Sequence, residues 1–337
     1  MNIQRDKFMI HSKNSNPETD VLIIGAGIAG LLAATEIKKS GHRVIVVDKG
    51  RGVGGRLATR RIGQATFDHG AQFITARHPR FAAAIQEWEN AGVVTEWYRN
   101  SGTHSEDHPR WRGNPGMTAI AKYLANDLSV FLGNRVVSLV NDSKRFEAVF
   151  ENDERIFAKS ILLTAPVPQS LALIKSGGIE LASQMKNRLE SITYEPCIAV
   201  MAITDGPVKI PSPGGFAPES GPIGWIADNH LKKISTIPAV TIHATASFST
   251  ENWDKDRKEV GKELLKAAEQ LLQADVVDYQ VHGWRYSKPI GVSEDGCLIL
   301  GESPPFIIAG DAFGGPSVEG AALSGWEAAA SLNKLLK

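Results

Sequence analysis

The sequence predicts an α/β protein, with one domain on a doubly wound, mostly parallel sheet and a second, inserted α+β domain on an antiparallel sheet. Three observations carry this reading. A β-branched run, a G-x-G-x-x-G turn and a helical pattern follow one another in residues 20–49. A second apolar run, Phe306 to Ala309, precedes Gly310-Asp311 and a last helical pattern. Between residues 168 and 305 the chain instead shows separated strand-like runs and one strongly amphipathic helix.

The first unit is a complete βαβ pattern. Val21 to Ile24 suit a buried parallel strand. Gly25 permits the tight turn, Gly27 lets a pyrophosphate approach the backbone, and Gly30 lets the helix pack on the strand. The helix starts there, so its N-terminal amides and dipole face the phosphates. Gly41 ends it, Val44 to Val47 form the next strand, and Asp48 stands where an acid accepts hydrogen bonds from ribose hydroxyls. The unit is Rossmann-type and expects an ADP-containing dinucleotide. The competing reading is a glycine turn that binds nothing.

After Asp48 the chain runs Lys49-Gly50-Arg51-Gly52-Val53-Gly54-Gly55-Arg56, with four glycines in seven residues from Gly50 to Arg56. Such a loop can lie against a ligand and present several amides to it. Arg51 and Arg56 bring fixed positive charge, and the guanidinium fork matches phosphate oxygens. A flexible surface loop is the alternative. Farther along, His78 to Gly92 reads as a helix with Phe81, Ile85 and Trp88 on one stripe. Arg110 to Met117 reads as a loop entering a helix that runs to about Leu128. Val130 to Leu132 and Val136 to Val140 are short strands, and Phe146 to Phe150 with Arg155 to Phe157 reads as a hairpin. Ser160 to Pro166 includes a strand that rejoins the first sheet. Pro196 to Thr204, Val240 to Ser249 and Asp278 to Tyr286 are strand-like, and Val260 to Leu272 is helical. Pro316 fits the first turn of the final helix.

Composition narrows the function. Lys plus Arg and Asp plus Glu each total 37 in 337 residues, so no charge excess points to nucleic acid. Two cysteines, Cys197 and Cys297, form neither a disulfide framework nor a metal-ligand cluster. Cysteine usage suits a reducing cytoplasm, no run approaches a membrane span, and Met1 to Thr19 read as a flexible polar extension without a signal-peptide core. No convincing Ser-His-Asp, Cys-His or metal spacing is present, which argues against hydrolase chemistry.

The acid followed by Gly50-Arg51-Gly52-Val53-Gly54-Gly55-Arg56 resembles the second fingerprint of FAD-dependent amine oxidases and their relatives. Phe67-Asp68-His69-Gly70-Ala71-Gln72-Phe73 and Gly310-Asp311 with Gly314 to Ala321 match the same family at two more places. The resemblance implies a non-covalent FAD held by Gly25, Gly27, Ile28, Ala29, Gly30, Asp48, Lys49, Arg51, Gly54, Gly55, Arg56, Gly70, Ala71, Gln72, Val137, Gly310, Asp311, Val318 and Glu319. It implies that Asp311 holds the ribitol chain and that the last helix points its N-terminus at the pyrimidine side of the ring, where reduced flavin carries negative charge. The expected domains are 20–76, 130–167 and 306–337 for FAD, and 77–129 with 168–305 for substrate.

The whole chain from Asp20 most resembles the renalase family. The resemblance rests further on Gly70 to Arg77, Arg110 to Met117, His243-Ala244-Thr245, Trp284-x-Tyr286 and Val318 to Gly325. It implies an oxidase that returns 2- or 6-dihydro isomers of NAD(P) to NAD(P)+, with O2 reduced to H2O2. A planar dihydronicotinamide suits an aromatic pocket, for which Phe73, Trp111, Trp225, Trp284 and Tyr286 are candidates and core packing is the alternative. His243 is the candidate catalytic residue, weighed equally against a satisfied core histidine. Phe73, Trp111, His243 and Trp284 are the expected substrate contacts. Two readings compete: an amine or other small-molecule oxidase or desaturase on the same scaffold, and a flavin-binding protein without turnover.

Overall fold

The structure, a computed structural model, describes residues 18–99, 108–293 and 295–337. The flexible extension expected at residues 1–19 lies outside them up to residue 17, while Glu18 and Thr19 already belong to the first strand. In chain order the elements begin β1 (Glu18–Ile24), α1 (Ile28–Lys39), β2 (Val44–Asp48), β3 (Thr59–Ile62), β4 (Ala65–Asp68), α2 (Pro79–Asn90), β5 (Val94–Arg99), β6 (Pro109–Gly113) and α3 (Thr118–Ala125). The chain continues through β7 (Val130–Leu132), β8 (Val136–Asn141), β9 (Phe146–Phe150), β10 (Arg155–Leu163), α4 (Val167–Ser176), α5 (Ser183–Glu190), β11 (Thr193–Thr204), β12 (Gly215–Phe216), β13 (Ile223–Asp228) and β14 (Ala239–Ala244). It closes with α6 (Ala246–Glu251), α7 (Arg257–Leu272), β15 (Val276–Ile290), β16 (Cys297–Glu302), β17 (Pro305–Ala309), α8 (Asp311–Gly314) and α9 (Val318–Leu335).

The chain divides into two compact units. One comprises the chain to Gly55 with Ala121–Thr193 and Pro289–Lys337, and the other comprises Arg56–Ile120 and Tyr194–Lys288. The first is built on an eight-stranded sheet ordered β16-β17-β10-β1-β2-β7, with β9 also on β10 and β8 on β9. β17, β10, β1, β2 and β7 pair in parallel, with Val21 opposite both Ser160 and Val44. Their apolar runs are buried because helices cover a parallel sheet. α1 and α9 cross closely at a glycine: a Cβ on Gly325 would stand 2.3 Å from the Ala29 carbonyl oxygen.

The second unit carries an antiparallel sheet ordered β12-β13-β14-β11-β15. Val260, Leu264, Ala268 and Leu272 of α7 pack into a core with Ile198, Val200, Ile226 and Ile242 of this sheet. Asp256 caps α7 by accepting from the Lys258 and Glu259 amides.

Several boundaries differ from expectation, each for a physical reason. Residues 56–76 belong to the second unit, since the β3–β4 hairpin buries Ile62, Ala65 and Phe67 with Met201 and Ala239. Residues 121–129 and 168–193 belong to the first, where Ala121 and Ala125 join the core of Val21, Leu31 and Val46, and Gly177 lies against the Leu139 backbone of β8. Residues 289–305 join the first as well, because β16 pairs antiparallel with β17. The loop expected at Arg110 is strand β6, paired with β5. The strand expected over 240–249 stops at Ala244, because Thr245 caps α6 by accepting from the Phe248 amide. Pro316 precedes α9, whose N-cap is Ser317.

Candidate cofactor and substrate sites

In the first unit, the three glycines of the first motif separate by what surrounds them. Gly25 has φ +123°, and a Cβ there would stand 2.4 Å from Thr164 Oγ1. A Cβ on Gly30 would stand 2.1 Å from the Gly25 carbonyl oxygen. Both are therefore demanded by the turn and by helix–strand packing. Gly27 is different: its φ is −76°, and a Cβ would meet nothing within 4 Å. Neither backbone conformation nor internal packing requires glycine there, whereas a phosphate lying against the backbone would. α1 begins at this open position with no side-chain cap and no acid in its first turn, so Ile28, Ala29 and Gly30 open an anion-ready helix start.

Asp48 builds the loop as well as facing it. Its carboxylate accepts from the Ala26 amide at 2.8 Å and from the Gly50 amide at 2.6 Å. Each oxygen keeps a further lone pair for a ribose hydroxyl. The Gly54 amide donates to the Ala26 carbonyl at 2.8 Å, so the glycine loop lies along the first turn, with Gly55 beside Gly27. The amides of Gly133 and Asn134 donate to the carbonyls of Gly50 and Asp48, bringing the chain just before β8 to this loop. Val137 lies at the irregularity between Val136 and Ser138 and is 39% exposed. Lys49 reaches Gln169 at 2.8 Å, and Arg51 is exposed. At the other end of the unit, Gly310 has φ +136° and donates its amide to Ser324 Oγ at 2.7 Å. Asp311 is buried directly after it, and α9 starts at Val318 and Glu319 behind the Ser317 cap. These features fit a dinucleotide cofactor.

In the second unit, the segment Asp68 to Phe73 organises the polar and aromatic groups. The Ala71 amide donates to the Arg56 carbonyl at 2.8 Å, and a Cβ on Gly70 would stand 2.1 Å from that same oxygen. Gly70 is thus fixed by close backbone approach within the unit. The Arg56 guanidinium donates to the Ser287 carbonyl at 3.1 Å. Gln72 donates through Nε2 to the Asp68 carbonyl at 2.6 Å and to the Gly70 carbonyl at 3.2 Å, leaving its buried Oε1 without a protein partner. An orphaned acceptor in this turn fits a ligand N–H.

Two expected substrate residues meet on one atom. Trp284 Nε1 donates to the His69 carbonyl at 2.7 Å, and His243 Nε2 lies 3.1 Å from the same oxygen. Burial drives the His243 imidazole down to about 4, against the bond to His69 that favours its charged form. A neutral His243 facing a carbonyl must carry its proton on Nε2. His69 stacks on Trp284 and is driven down to about 3 by burial, with His282 and Arg60 adding to the effect. Phe73 instead packs with Trp225 at 5.4 Å and Trp97 at 6.4 Å between centroids. Trp225 faces His243 across the β13–β14 ladder, so the two groups share a sheet. Trp111 is tied to Ile74 by two backbone bonds, and its buried Nε1 has no protein partner. Tyr286 packs against Tyr194.

Sequence reading missed three residues here. Arg110 lies 5.0 Å from both the Phe73 and the Tyr98 ring centroids. Trp97 sits beside Phe73, and Lys232, with no exposed surface, pairs with Asp68. Arg110 lay within a recognised motif, but Lys232 and Trp97 carried no local signal. Cys197 is pushed up to about 12 by burial, which rules it out as a ready nucleophile. Among the described residues no group of three or more His, Cys, Asp or Glu could hold a metal, and no helix is long and apolar enough to cross a membrane.

Comparison with known proteins agrees with this geometry. Residues 23–88 match the NAD(P)-binding Rossmann-like domain, and residues 86–333 match the flavin containing amine oxidoreductase family. A Mycobacterium tuberculosis protein provisionally described as a flavin-containing monoamine oxidase is 46% identical over 97 residues, 28% of this chain and 20% of that one. An L-amino acid oxidase of Cerastes cerastes is 43% identical over 61 residues, 17% of this chain and 12% of that one. The chain therefore aligns with about a fifth or less of the length of these curated relatives. A triple mutant of putrescine oxidase shares the fold, with a TM-score of 0.74 at 16% identity over 94% of this chain and 99% of that one. With the family model covering residues 86–333, the chain belongs to the flavin containing amine oxidoreductase family, and its cofactor is FAD.

Proposed function

We propose that the protein is a renalase-like oxidase that converts 2- or 6-dihydro isomers of NAD(P) to NAD(P)+. Bound FAD would supply a two-electron hydride acceptor for the donor carbon, reoxidised by O2 to H2O2 with the second proton coming from solvent. In the first unit, Gly27, Ile28, Ala29, Asp48, Gly54 and Gly55 would hold the diphosphate and adenosine, with Val137 beside them. Asp311, Val318 and Glu319 serve the ribitol and ring. In the second unit, Gly70, Ala71 and Gln72 would offer backbone and the orphaned Oε1 to a ligand.

One observation favours this donor. The charged groups stacked on Phe73 and Trp97 are cations, Arg110 at 5.0 Å and Lys232 at 5.0 Å. The Asp68 carboxylate is engaged by Lys232, the Met117 amide and Thr59. Lys232 is thereby balanced by Asp68, so a protonated amine would meet the Arg110 guanidinium beside Phe73, whereas a dinucleotide donor brings phosphates and a carboxamide oxygen to it. Phe73, Trp97 and Trp225 supply flat faces for the dihydropyridine. Loss of hydride from that ring needs no general base, since the product is a cation. A neutral His243 therefore acts as a fixed donor to His69, not as a proton acceptor through Nε2.

The family match favours the second reading, a primary or secondary amine donor. Arg110→Leu separates them. For a dinucleotide donor KM rises about tenfold or more while kcat changes little, the loss expected of a charge-assisted contact. For an amine donor KM falls or stays level.

A further inference from the structure

We propose that Lys232 is a positioning residue: its ammonium sets the spacing between the Asp68–Phe73 segment and Trp97. Three donors leave a lysine ammonium, and here three directions are taken. One donates to Asp68 Oδ2 at 2.8 Å, one to the Gln72 carbonyl at 2.5 Å, and the Trp97 ring centroid lies 5.0 Å away. The end of β4, the turn beyond it and β5 are thereby tied to a single atom. Trp97 and Phe73 are neighbours in the aromatic patch, so the tie fixes the patch itself.

The loop that delivers Lys232 is built for the purpose. Asp228 Oδ1 accepts from the His230 and Leu231 amides at 2.8 and 3.0 Å. Asn229 Nδ2 donates to Thr241 Oγ1 at 2.9 Å, and the Asn229 carbonyl accepts from the Ile234 and Ser235 amides at 3.0 Å. The Lys232 amide itself donates to the Asp228 carbonyl at 2.9 Å. Neither Lys232 nor Asp68 has exposed surface, and the Asp68 charge also favours the charged form of the buried Arg112. A buried ion pair is a weak source of stability relative to apolar packing, and its best-attested use is to select one arrangement. The ammonium geometry here, with three different partners, is suited to that use.

The test rests on Gly70–Phe73 being the flavin-side segment, and its readout does not depend on which donor is used. Lys232→Ala is purified with FAD and compared with the wild type by visible circular dichroism, FAD content and turnover. Content is expected to stay stoichiometric, because the glycine loops of the first unit are untouched. The flavin dichroism changes, and kcat/KM falls about 10²-fold, the loss expected from misplacement by about 1 Å. Added ethylammonium restores the dichroism, and ethanol of the same size does not. Unchanged dichroism, or equal rescue by ethanol, overturns the proposal. If Lys232→Ala is insoluble, the uncharged pair Asp68→Asn with Lys232→Met replaces it, and wild-type dichroism in that protein overturns the proposal equally. Should the wild type be reduced by amines and not by dihydronicotinamides, the proposed function fails while the dichroism result stands.

Discussion

Lys232 and Asp68 form an ion pair at 2.8 Å with neither side chain exposed, across 164 residues of sequence. Burial pushes the Lys232 ammonium below the ordinary lysine range, and Asp68 opposes that shift. Removing one partner strands the other charge. Lys232→Met alone is expected to lower unfolding stability by about 3–5 kcal/mol, and the pair Lys232→Met with Asp68→Asn by clearly less than the sum of the two single changes. Denaturant midpoints measure this, and strict additivity would show that the two groups are not coupled.

The glycine assignments differ in kind, so their variants should differ too. Gly27→Val places a side chain in open space at a normal φ, and it should fold with wild-type stability while binding no FAD. Gly30→Ala drives a Cβ toward the Gly25 carbonyl and should lower stability by about 1–3 kcal/mol. Thermal unfolding of the apoproteins and the yellow colour of the purified variants check both. A yellow Gly27→Val protein contradicts the reading of the open position.

His243 and His69 make stability depend on pH in a known direction. Both are lowered from 6.5, to about 4 and about 3, so the folded state excludes a proton that the unfolded chain accepts. Their contribution is complete above pH 6.5 and is lost as pH falls toward 4, at up to about 1.4 kcal/mol per pH unit for each histidine. Denaturant titrations at pH 7 and pH 5 should show this loss, and His243→Asn should reduce it. An equal loss in the variant would show that His243 is not the group responsible.

How much of this was legible in sequence follows from the range of the interactions. The β1–α1–β2 unit declared itself because its strand, glycines, helix and Asp48 lie within one short segment. The hairpin of β9 and β10 and the stripe on α2 were legible for the same local reason. The convergence of His243 and Trp284 on the His69 carbonyl joins three distant segments, so no local pattern in the sequence reveals the shared partner. Lys232 stands beside Lys233 and has the pattern of a solvated loop, and only the pairing with Asp68 reveals it. β6 was hidden because its arginines and the following Gly113-Asn114-Pro115-Gly116 imitate a loop, while its partner β5 lies upstream. The placement of Arg56 in the second unit was equally invisible, since the glycine run before it belongs to the first.

The most direct test of the proposed function is anaerobic mixing of the yellow holoprotein with 2- or 6-dihydro-NAD(P), with ordinary NADH, and with a panel of primary amines including putrescine. The flavin absorbance at its visible maximum is followed in a stopped-flow instrument. The Arg110 guanidinium beside Phe73 predicts rapid bleaching by the isomeric dihydronicotinamides and none by the amines. Rapid bleaching by an amine, with the dihydronicotinamides inert, contradicts it.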